Sequence, residues 1–217
     1  MGQNAINYAN THAMTSTISR YFANMLIMVA ALFSLVACTD NKLQFKSIDI
    51  TGADYARDFA ADGAMLDHDG KPRAIRDFAG KIVVVFFGYT QCPDVCPTTM
   101  SELVEVKKLL GKDGDKVVGL FITVDPARDT PEVLKAYTAN FSPDFLGLTA
   151  SSPEALAKVV KEFKIYYKKV PGKTETSYTI DHTAASYVFD TQGKVRLYTR
   201  YGSGAPALAA DIKQLLK

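Results

Sequence analysis

The chain has 217 residues, a length that suits one domain or a small pair of domains. Hydrophobic residues make up 47% of it and charged residues 22%, proportions that exclude a disordered chain and a membrane protein with many spans. Its 25 basic and 23 acidic residues leave a net charge of only +2, so charge gives no reason to expect a nucleic-acid partner.

The N-terminal segment has the pattern of an export signal. Residues 25–37 form a thirteen-residue apolar run, which is shorter than the roughly 20 residues of a membrane-spanning helix and suits the core of a signal peptide. Arg20 precedes the run, and the sequence L-V-A-C at its end resembles a bacterial lipoprotein signal. We therefore expect residues 1–37 to be removed and Cys38 to carry a lipid. A plain signal peptide, or a short anchor with an incidental cysteine, is the alternative, and Met14 is a second candidate start.

This signal predicts where the protein resides. We expect an exported bacterial lipoprotein that is anchored to the membrane by its lipid and faces the periplasm, with the inner membrane as the expected site. Residues 38–47 are predicted to be the lipid anchor and a polar tether, and residues 48–217 to be one folded domain. In such a compartment the remaining cysteines, Cys92 and Cys96, are able to form a disulfide.

Strand and helix patterns alternate along the domain. The predicted strands cover residues 45–50, 81–87, 116–124, 145–149, 184–189 and 194–200, and the predicted helices begin near Pro97, Pro131 and Pro153 and at residue 206. Asp67-His68-Asp69-Gly70 predicts a hairpin turn, and the polar residues 166–180 predict a surface loop. This order predicts an α/β, thioredoxin-like fold, with a central mixed sheet flanked by helices and an additional N-terminal hairpin.

Two cysteines with three residues between them carry the strongest chemical signal. Cys92 and Cys96 follow the apolar run 81–87 and precede a helical pattern, the place where α/β sheets carry their sites. Pro93 and Pro97 disfavour helical backbone at the residue before each of them, so both cysteines are expected on the loop. The nearby helix N-terminus is expected to lower the pKa of both thiols and to favour the thiolates, which react and bind metals.

Three functions suit this cysteine pair. A structural disulfide would close a very short loop and gain little stability. A thiol–disulfide oxidoreductase usually has two intervening residues instead of three. A metal site needs a third ligand, for which the predicted domain offers only His68 and His182 as histidines. His68 lies in the predicted turn and is expected to face solvent, whereas the spacing leaves His182 either a ligand or a loop histidine held by hydrogen bonds.

Charged residues near these positions allow weaker predictions. Asp94, between the cysteines, is expected to be a solvated loop carboxylate. Asp125, Arg128 and Asp129 follow the second buried strand, where they either shape the pocket or form a strand-ending turn with an ion pair. Asp181 precedes His182 and is a candidate to orient its ring, although strand alternation points adjacent side chains to opposite faces. Five lysines are expected to form a solvated surface, with a docking surface for an acidic partner as the less simple alternative: Lys158, Lys161, Lys164, Lys168 and Lys169.

Three sequence blocks resemble a known family. GYTQCPDVCPTTM (88–100), VDPARDTPEVL (124–134) and SYTIDHTAASYVFDTQG (177–193) are similar, in this order, to blocks of the Sco/SenC family of copper-binding assembly proteins. The resemblance covers roughly residues 45–217. It implies a thioredoxin-like fold, and it implies that Cys92, Cys96 and His182 are copper ligands.

The resemblance also implies a function. A protein of this family is expected to help load the CuA centre of cytochrome c oxidase subunit II, alongside other periplasmic copper chaperones or thiol oxidoreductases. The alternative is a thiol–disulfide oxidoreductase that reduces the cysteines of that copper site, and no classical enzyme activity is expected otherwise. Thiolates suit Cu(I) and imidazole suits both Cu(I) and Cu(II), whereas Zn(II) also accepts this ligand set. A peroxidase or redox sensor of the same fold lacks a dedicated motif here.

Overall fold

The structure, a computed structural model, describes residues 43–59, 64–174 and 177–217. The predicted signal peptide, the lipidation site at Cys38 and the first half of the tether lie outside the described residues. Within the described part, no helix combines the length and the apolar composition needed to span a bilayer.

The described residues form nine strands and four α-helices. The strands are β1 (Ile48–Asp49), β2 (Met65–Asp67), β3 (Ile82–Gly88), β4 (Val117–Thr123), β5 (Leu146–Ala150), β6 (Tyr167–Pro171), β7 (Tyr178–His182), β8 (Ala185–Phe189) and β9 (Val195–Arg200). The helices are α1 (Val95–Leu110), α2 (Pro131–Ala139), α3 (Pro153–Glu162) and α4 (Ala205–Leu215), with 3₁₀ turns at Ile75–Phe78 and Gly111–Lys116.

Seven of these strands make one mixed sheet in the order β1-β9-β8-β3-β4-β5-β2. Strands β3, β4 and β5 are parallel, while β8, β9, β1 and β2 pair in antiparallel fashion with their neighbours. The parallel strands are joined by α1 and α2, because a parallel connection needs a crossover element. This architecture confirms the expected mixed sheet flanked by helices.

Strand β3 separates two apolar layers. Its even-numbered positions from Ile82 to Phe86 pack with α1 and α4, and its odd-numbered positions from Val83 to Phe87 pack with α3 and with β8. All seven residues of β3 are buried, as the continuous apolar run predicted. Because the whole of β3 is buried, the first exposed side chains after it lie on the loop that follows Gly88.

The N-terminal hairpin is smaller than expected. The turn at 67–70 forms, because the Asp67 carboxylate accepts the N–H groups of Asp69 and Lys71. It is closed by a single bridge between Leu66 and Pro72, however, and β2 pairs instead with β5. His68 is half-buried, with Nδ1 accepting the N–H of Gly147 at 3.2 Å, so the expectation that it faces solvent is wrong.

The predicted surface loop at 166–180 contains regular structure, so that prediction is corrected. Strands β6 and β7 form a separate two-stranded antiparallel sheet within it, in which Tyr167 is opposite His182. Four of the five residues of β6 are exposed, and in β7 only Ile180 is fully buried. Strand β6 shows no hydrophobic alternation, and the short alternation of β7 around Ile180 was missed within a polar segment.

Candidate metal centre

The end of β3 and the start of α1 place the two cysteines. Cys92 lies on the connecting loop and is half-buried, whereas Cys96 lies in the first turn of α1 and is fully buried. The expectation that both lie outside the helix is therefore wrong for Cys96. Pro97 disfavours helical backbone at the preceding residue without forbidding it, and a first turn tolerates proline because its N–H has no partner there.

The helix start directs backbone donors at Cys92. The N–H of Cys96 points to the Cys92 sulfur at 3.4 Å, and the N–H of Asp94 contributes a second hydrogen bond. Both cysteines are free thiols. The loop therefore forms a small cradle of donors around one sulfur, which favours negative charge there.

His182, at the end of β7, completes the group. Its Nε2 lies 3.5 Å from the Cys96 sulfur, and its Nδ1 lies 3.1 Å from the carbonyl oxygen of Thr183. A carbonyl only accepts, so the neutral ring carries its proton on Nδ1 and turns the Nε2 lone pair towards the sulfurs. The rings of Phe86 and Tyr89 pack edge-on against the imidazole, each with centroids 6.0 Å away, and limit its rotation.

These three side chains fit one metal ion. The two sulfurs and the imidazole nitrogen all lie within 4.8 Å of one another, although His182 is 86 residues from Cys96. An ion at the centre of such a triangle is roughly 2 to 3 Å from each atom, comparable with the ~2.0–2.3 Å bonds of Zn²⁺ to nitrogen and sulfur. Soft thiolates with one imidazole also suit copper.

The two thiols differ strongly in acidity. A hydrogen bond from the Cys96 thiol, together with hydrogen bonds from the backbone N–H groups of Asp94 and Cys96, lowers the pKa of Cys92 to about 4. The same hydrogen bond, together with burial, raises the pKa of Cys96 well above that of a free thiol. The expectation of a lowered pKa is thus confirmed for Cys92 and wrong for Cys96. At neutral pH the pair holds one thiolate and one thiol.

A buried carboxylate lies beneath the cysteine loop. Asp129 is 1% exposed and accepts hydrogen bonds from the Thr90 N–H, the Thr90 hydroxyl and the Thr123 hydroxyl. Its negative charge adds a smaller contribution to the raised pKa of Cys96. Asp129 therefore connects the end of β4 to the loop that carries Cys92, which is the pocket-shaping role left open by the sequence.

Arg128 joins the cysteine loop to the strand that carries the histidine. It forms an ion pair with the buried Asp125, and its Nη1 donates to the Gln91 side chain and to the Tyr178 carbonyl, each at 3.0 Å. Tyr178 in turn donates its hydroxyl to Asp125 at 2.8 Å. The sequence suggested either a pocket or an ion pair for these residues, and the structure contains both.

Several contacts were not predicted from sequence. Thr90, Thr123, Tyr178 and Thr183 hold the group together, yet none is distinctive as a residue type. Only strand alternation offered a signal, since it places Tyr178 on the same face of β7 as His182.

The remaining predicted neighbours lie outside the group. Asp94 is exposed and its side chain makes no capping hydrogen bond to α1, in keeping with a solvated loop carboxylate. Asp181 is exposed on the other face of β7, as alternation predicted. The lysines that the sequence assigned to a solvated surface are exposed as well.

Comparisons with known proteins agree with this arrangement. A profile of the family described as SCO1/SenC matches residues 51–217. A SCO2-like protein of Rickettsia felis is 33% identical over 173 residues, which cover 79% of this chain and 83% of that protein. The mitochondrial SCO2 homolog of Bos taurus is 40% identical over 146 residues, which cover 66% of this chain and 53% of that protein.

A solved structure shares the fold. Bradyrhizobium japonicum ScoI, determined with copper bound, superposes with a TM-score of 0.63 at 43% identity, over 70% of this chain and 96% of that one. This similarity confirms the thioredoxin-like fold. The family match covers most of the sequence and includes all three donors, so the resemblance is confirmed: the chain belongs to the SCO1/SenC family.

Proposed function

We propose that this protein is a copper metallochaperone that binds one copper ion through Cys92, Cys96 and His182. It would deliver the ion during assembly of the CuA centre in cytochrome c oxidase subunit II. The observation that carries the proposal is the convergence of two sulfurs and one directed imidazole nitrogen within 4.8 Å. Membership of a family with copper-bound relatives supports copper over Zn(II), as does the Irving–Williams order.

The chemistry of loading follows from the donors. The Cys92 thiolate offers the first bond at neutral pH, and Cys96 must release its proton as it binds. His182 already presents Nε2, because Thr183 holds the proton on Nδ1. Cys92 and His182 are half-buried, so incoming thiolates of a partner protein have access to the ion and can replace these ligands one at a time.

A second candidate function uses the same cysteines. In a thiol–disulfide oxidoreductase the Cys92 thiolate would attack a disulfide of the partner and release one partner thiolate. Cys96 would then attack the mixed disulfide, leaving a Cys92–Cys96 disulfide and two reduced partner sulfurs. The low pKa of Cys92 favours this reaction, and His182 has no necessary part in it.

An anaerobic copper titration separates the two candidates. The reduced protein is titrated with Cu(I) and then Cu(II), following sulfur-to-copper charge transfer and bound copper, for the parent, His182→Ala and His68→Ala. We expect one tight equivalent in the parent and in His68→Ala, and binding at least about tenfold weaker in His182→Ala.

Two outcomes would contradict the chaperone. Equal copper affinity in the parent and His182→Ala would rule out the three-ligand site. Metal-free reduction of a protein disulfide that survives His182→Ala and stops in Cys92→Ser, together with no tight copper, would support the oxidoreductase.

We also infer from the N-terminal sequence that the protein is held by a lipid on Cys38 at the periplasmic face of the inner membrane. The L-V-A-C pattern after the apolar run supports this inference. Mass spectrometry of the mature N-terminus, with Cys38→Ser as the matched variant, tests it. A mature protein that starts elsewhere, or that fractionates identically in both variants, would contradict it.

A further inference from the structure

The strand that carries His182 belongs to a sheet of its own. Strands β6 and β7 pair only with each other within the described residues and are not hydrogen-bonded into the seven-stranded sheet. An isolated two-stranded sheet is at best marginally stable in water. The position of His182 relative to the cysteines is therefore set by the short connection from β7 to β8 and, along the rest of the hairpin, by side-chain contacts with the body of the domain.

Arg128 makes such contacts from the loop after β4. Its guanidinium lies 3.6 Å from the centroid of the Tyr178 ring, and its Nη1 donates to the Tyr178 carbonyl at 3.0 Å. The Tyr178 hydroxyl is bonded to Asp125, the ion-pair partner of Arg128. The first residue of β7 is thus held through its ring, its carbonyl and its hydroxyl at once.

The same guanidinium reaches the cysteine side of the group. Nη1 also donates to the Gln91 side chain, next to Cys92, at 3.0 Å. Its carbon lies 5.6 Å from the Tyr89 ring, which packs edge-on against His182. The Arg128 guanidinium therefore contacts the loop before Cys92, the Tyr89 ring beside the imidazole and the first residue of β7.

We propose that Arg128 is a positioning residue that holds the β6–β7 hairpin so that His182 reaches an ion bound by the two cysteines, and that it thereby selects for Cu(II). The proposal rests on the proposed function, since it concerns the same copper site. Two thiolates are soft ligands that satisfy Cu(I), whereas Cu(II) depends more on the imidazole nitrogen. Loss of Arg128 should therefore weaken Cu(II) binding much more than Cu(I) binding.

The test compares two arginines in similar surroundings. Arg128→Met removes the guanidinium, with its charge and its donors, but keeps an unbranched side chain. Arg196→Met is the matched control, because Arg196 is 22% exposed against 19% for Arg128 and also pairs with a buried carboxylate, Asp190. The affinities of the purified protein for Cu(I) and Cu(II) are measured, together with the nitrogen coupling in the Cu(II) electron paramagnetic resonance spectrum.

We expect Arg128→Met to weaken Cu(II) binding about 10- to 100-fold and to reduce the nitrogen coupling. Cu(I) affinity should change by less than about threefold, because both thiolates remain. Arg196→Met should leave both affinities unchanged. In a His182→Ala background, Arg128→Met should have almost no further effect on Cu(II), since a residue that acts through His182 is then silent.

Other results would overturn the proposal. Unchanged Cu(II) affinity and nitrogen coupling would do so, as would an equal loss of Cu(I) and Cu(II) affinity or a full additional effect in His182→Ala. If Arg128→Met does not fold, Tyr178→Phe removes only the hydroxyl bond to Asp125 and should shift Cu(II) affinity in the same direction, by a smaller factor. Failure of the parent to bind copper at all would instead refute the proposed function.

Discussion

At the residue scale, the two cysteines have opposite acidities although they face each other. Cys92 receives hydrogen bonds from the Cys96 thiol and from backbone N–H groups, so its thiolate is stabilised. Cys96 is fully buried and supplies one of those hydrogen bonds, so it keeps its proton. Cys92 is therefore the thiolate that binds or attacks first, and Cys96 reacts only as it loses its proton.

This difference predicts the pH dependence of alkylation. The lowered pKa of Cys92 means that its thiolate is present above about pH 4 and is lost as the pH falls through that value. In the metal-free protein, the rate of Cys92 modification by iodoacetamide should therefore stay nearly constant between neutral pH and pH 5 and fall below about 4. Peptide mass spectrometry measures the site and the rate.

Cys96→Ala provides the comparison for this experiment. It removes the strongest hydrogen bond to Cys92, so the Cys92 pKa should rise towards the ~8.5 of a free thiol and the rate at pH 6 should fall by about two orders of magnitude. A profile that is the same in the parent and in Cys96→Ala would contradict the assigned cause.

The Cys96 sulfur packs directly against Gly88. A Cβ at this position would lie 2.7 Å from the Cys96 sulfur and 2.9 Å from the Phe121 ring. Gly88→Ala should therefore displace the sulfur, weaken copper binding at least about tenfold and lower the free energy of unfolding by about 1–3 kcal/mol. Copper titration and chemical denaturation measure the two effects.

Gly119→Ala is the control, because its Cβ would meet Leu103 and Phe145 at 2.8 Å in the same apolar layer, away from the sulfur. It should cost similar stability and leave copper affinity unchanged. Equal copper affinities in the two variants would show that Gly88 has no special relation to Cys96.

At the element scale, the starts of α1 and α3 use their backbone donors differently. Ser152 caps α3 through its hydroxyl, which accepts the N–H of Ala155 at 3.2 Å. At the start of α1, Asp94 occupies the cap position without a side-chain hydrogen bond, and backbone N–H groups there point to the Cys92 sulfur. Donors that would ordinarily be capped are thus available to the sulfur.

The two helix starts predict unequal losses of stability when their cap residues are changed to alanine. Ser152→Ala should lower the free energy of unfolding by about 1 kcal/mol, because it leaves a helix donor unsatisfied. Asp94→Ala should change it by less than about 0.5 kcal/mol, since it removes an exposed carboxylate with no capping bond. Denaturant titration of both variants measures the difference, and an equal or larger loss in Asp94→Ala would contradict it.

At the scale of the whole molecule, the first described residues are fixed on the last helix. The Asp211 carboxylate is fully buried in α4 and accepts the N–H groups of Lys46 and Ser47, each at 2.7 Å. Gln214 exchanges two hydrogen bonds with the backbone of Gln44. Contacts across more than 160 residues of sequence therefore hold the segment that leads into β1.

Asp211→Asn tests this attachment of the N-terminal segment to α4. One carboxylate oxygen becomes an amide nitrogen that only donates, so one buried N–H loses its acceptor and stability should fall by about 1–3 kcal/mol. Asp113→Asn, which removes an exposed ion pair with Lys116, should cost less than about 0.5 kcal/mol. Chemical denaturation compares them, and a cost for Asp211→Asn no larger than that of Asp113→Asn would contradict the role assigned to Asp211. Copper affinity should be unchanged in both variants.

Local patterns in the sequence determined the order of most elements. The buried strands β3 and β4 are continuous apolar runs, and the starts of α2 and α3 carry capping residues followed by proline. Such signals depend on near neighbours in the chain, so they are readable without the fold. The cysteine motif at a strand–helix junction, with the two further blocks, was enough to identify the family.

Tertiary structure alone decided how the site works. Backbone pairing of the mostly exposed β6 with β7, whose Ile180 is buried in the core, turned a predicted loop into the support of His182. The approach of His182 to Cys96, the opposite acidities of the cysteines and the reach of Arg128 across the site depend on side chains brought together from separate elements. Distances, burial and charge at such a meeting point arise only when the register of the folded chain is set, because no local pattern encodes them.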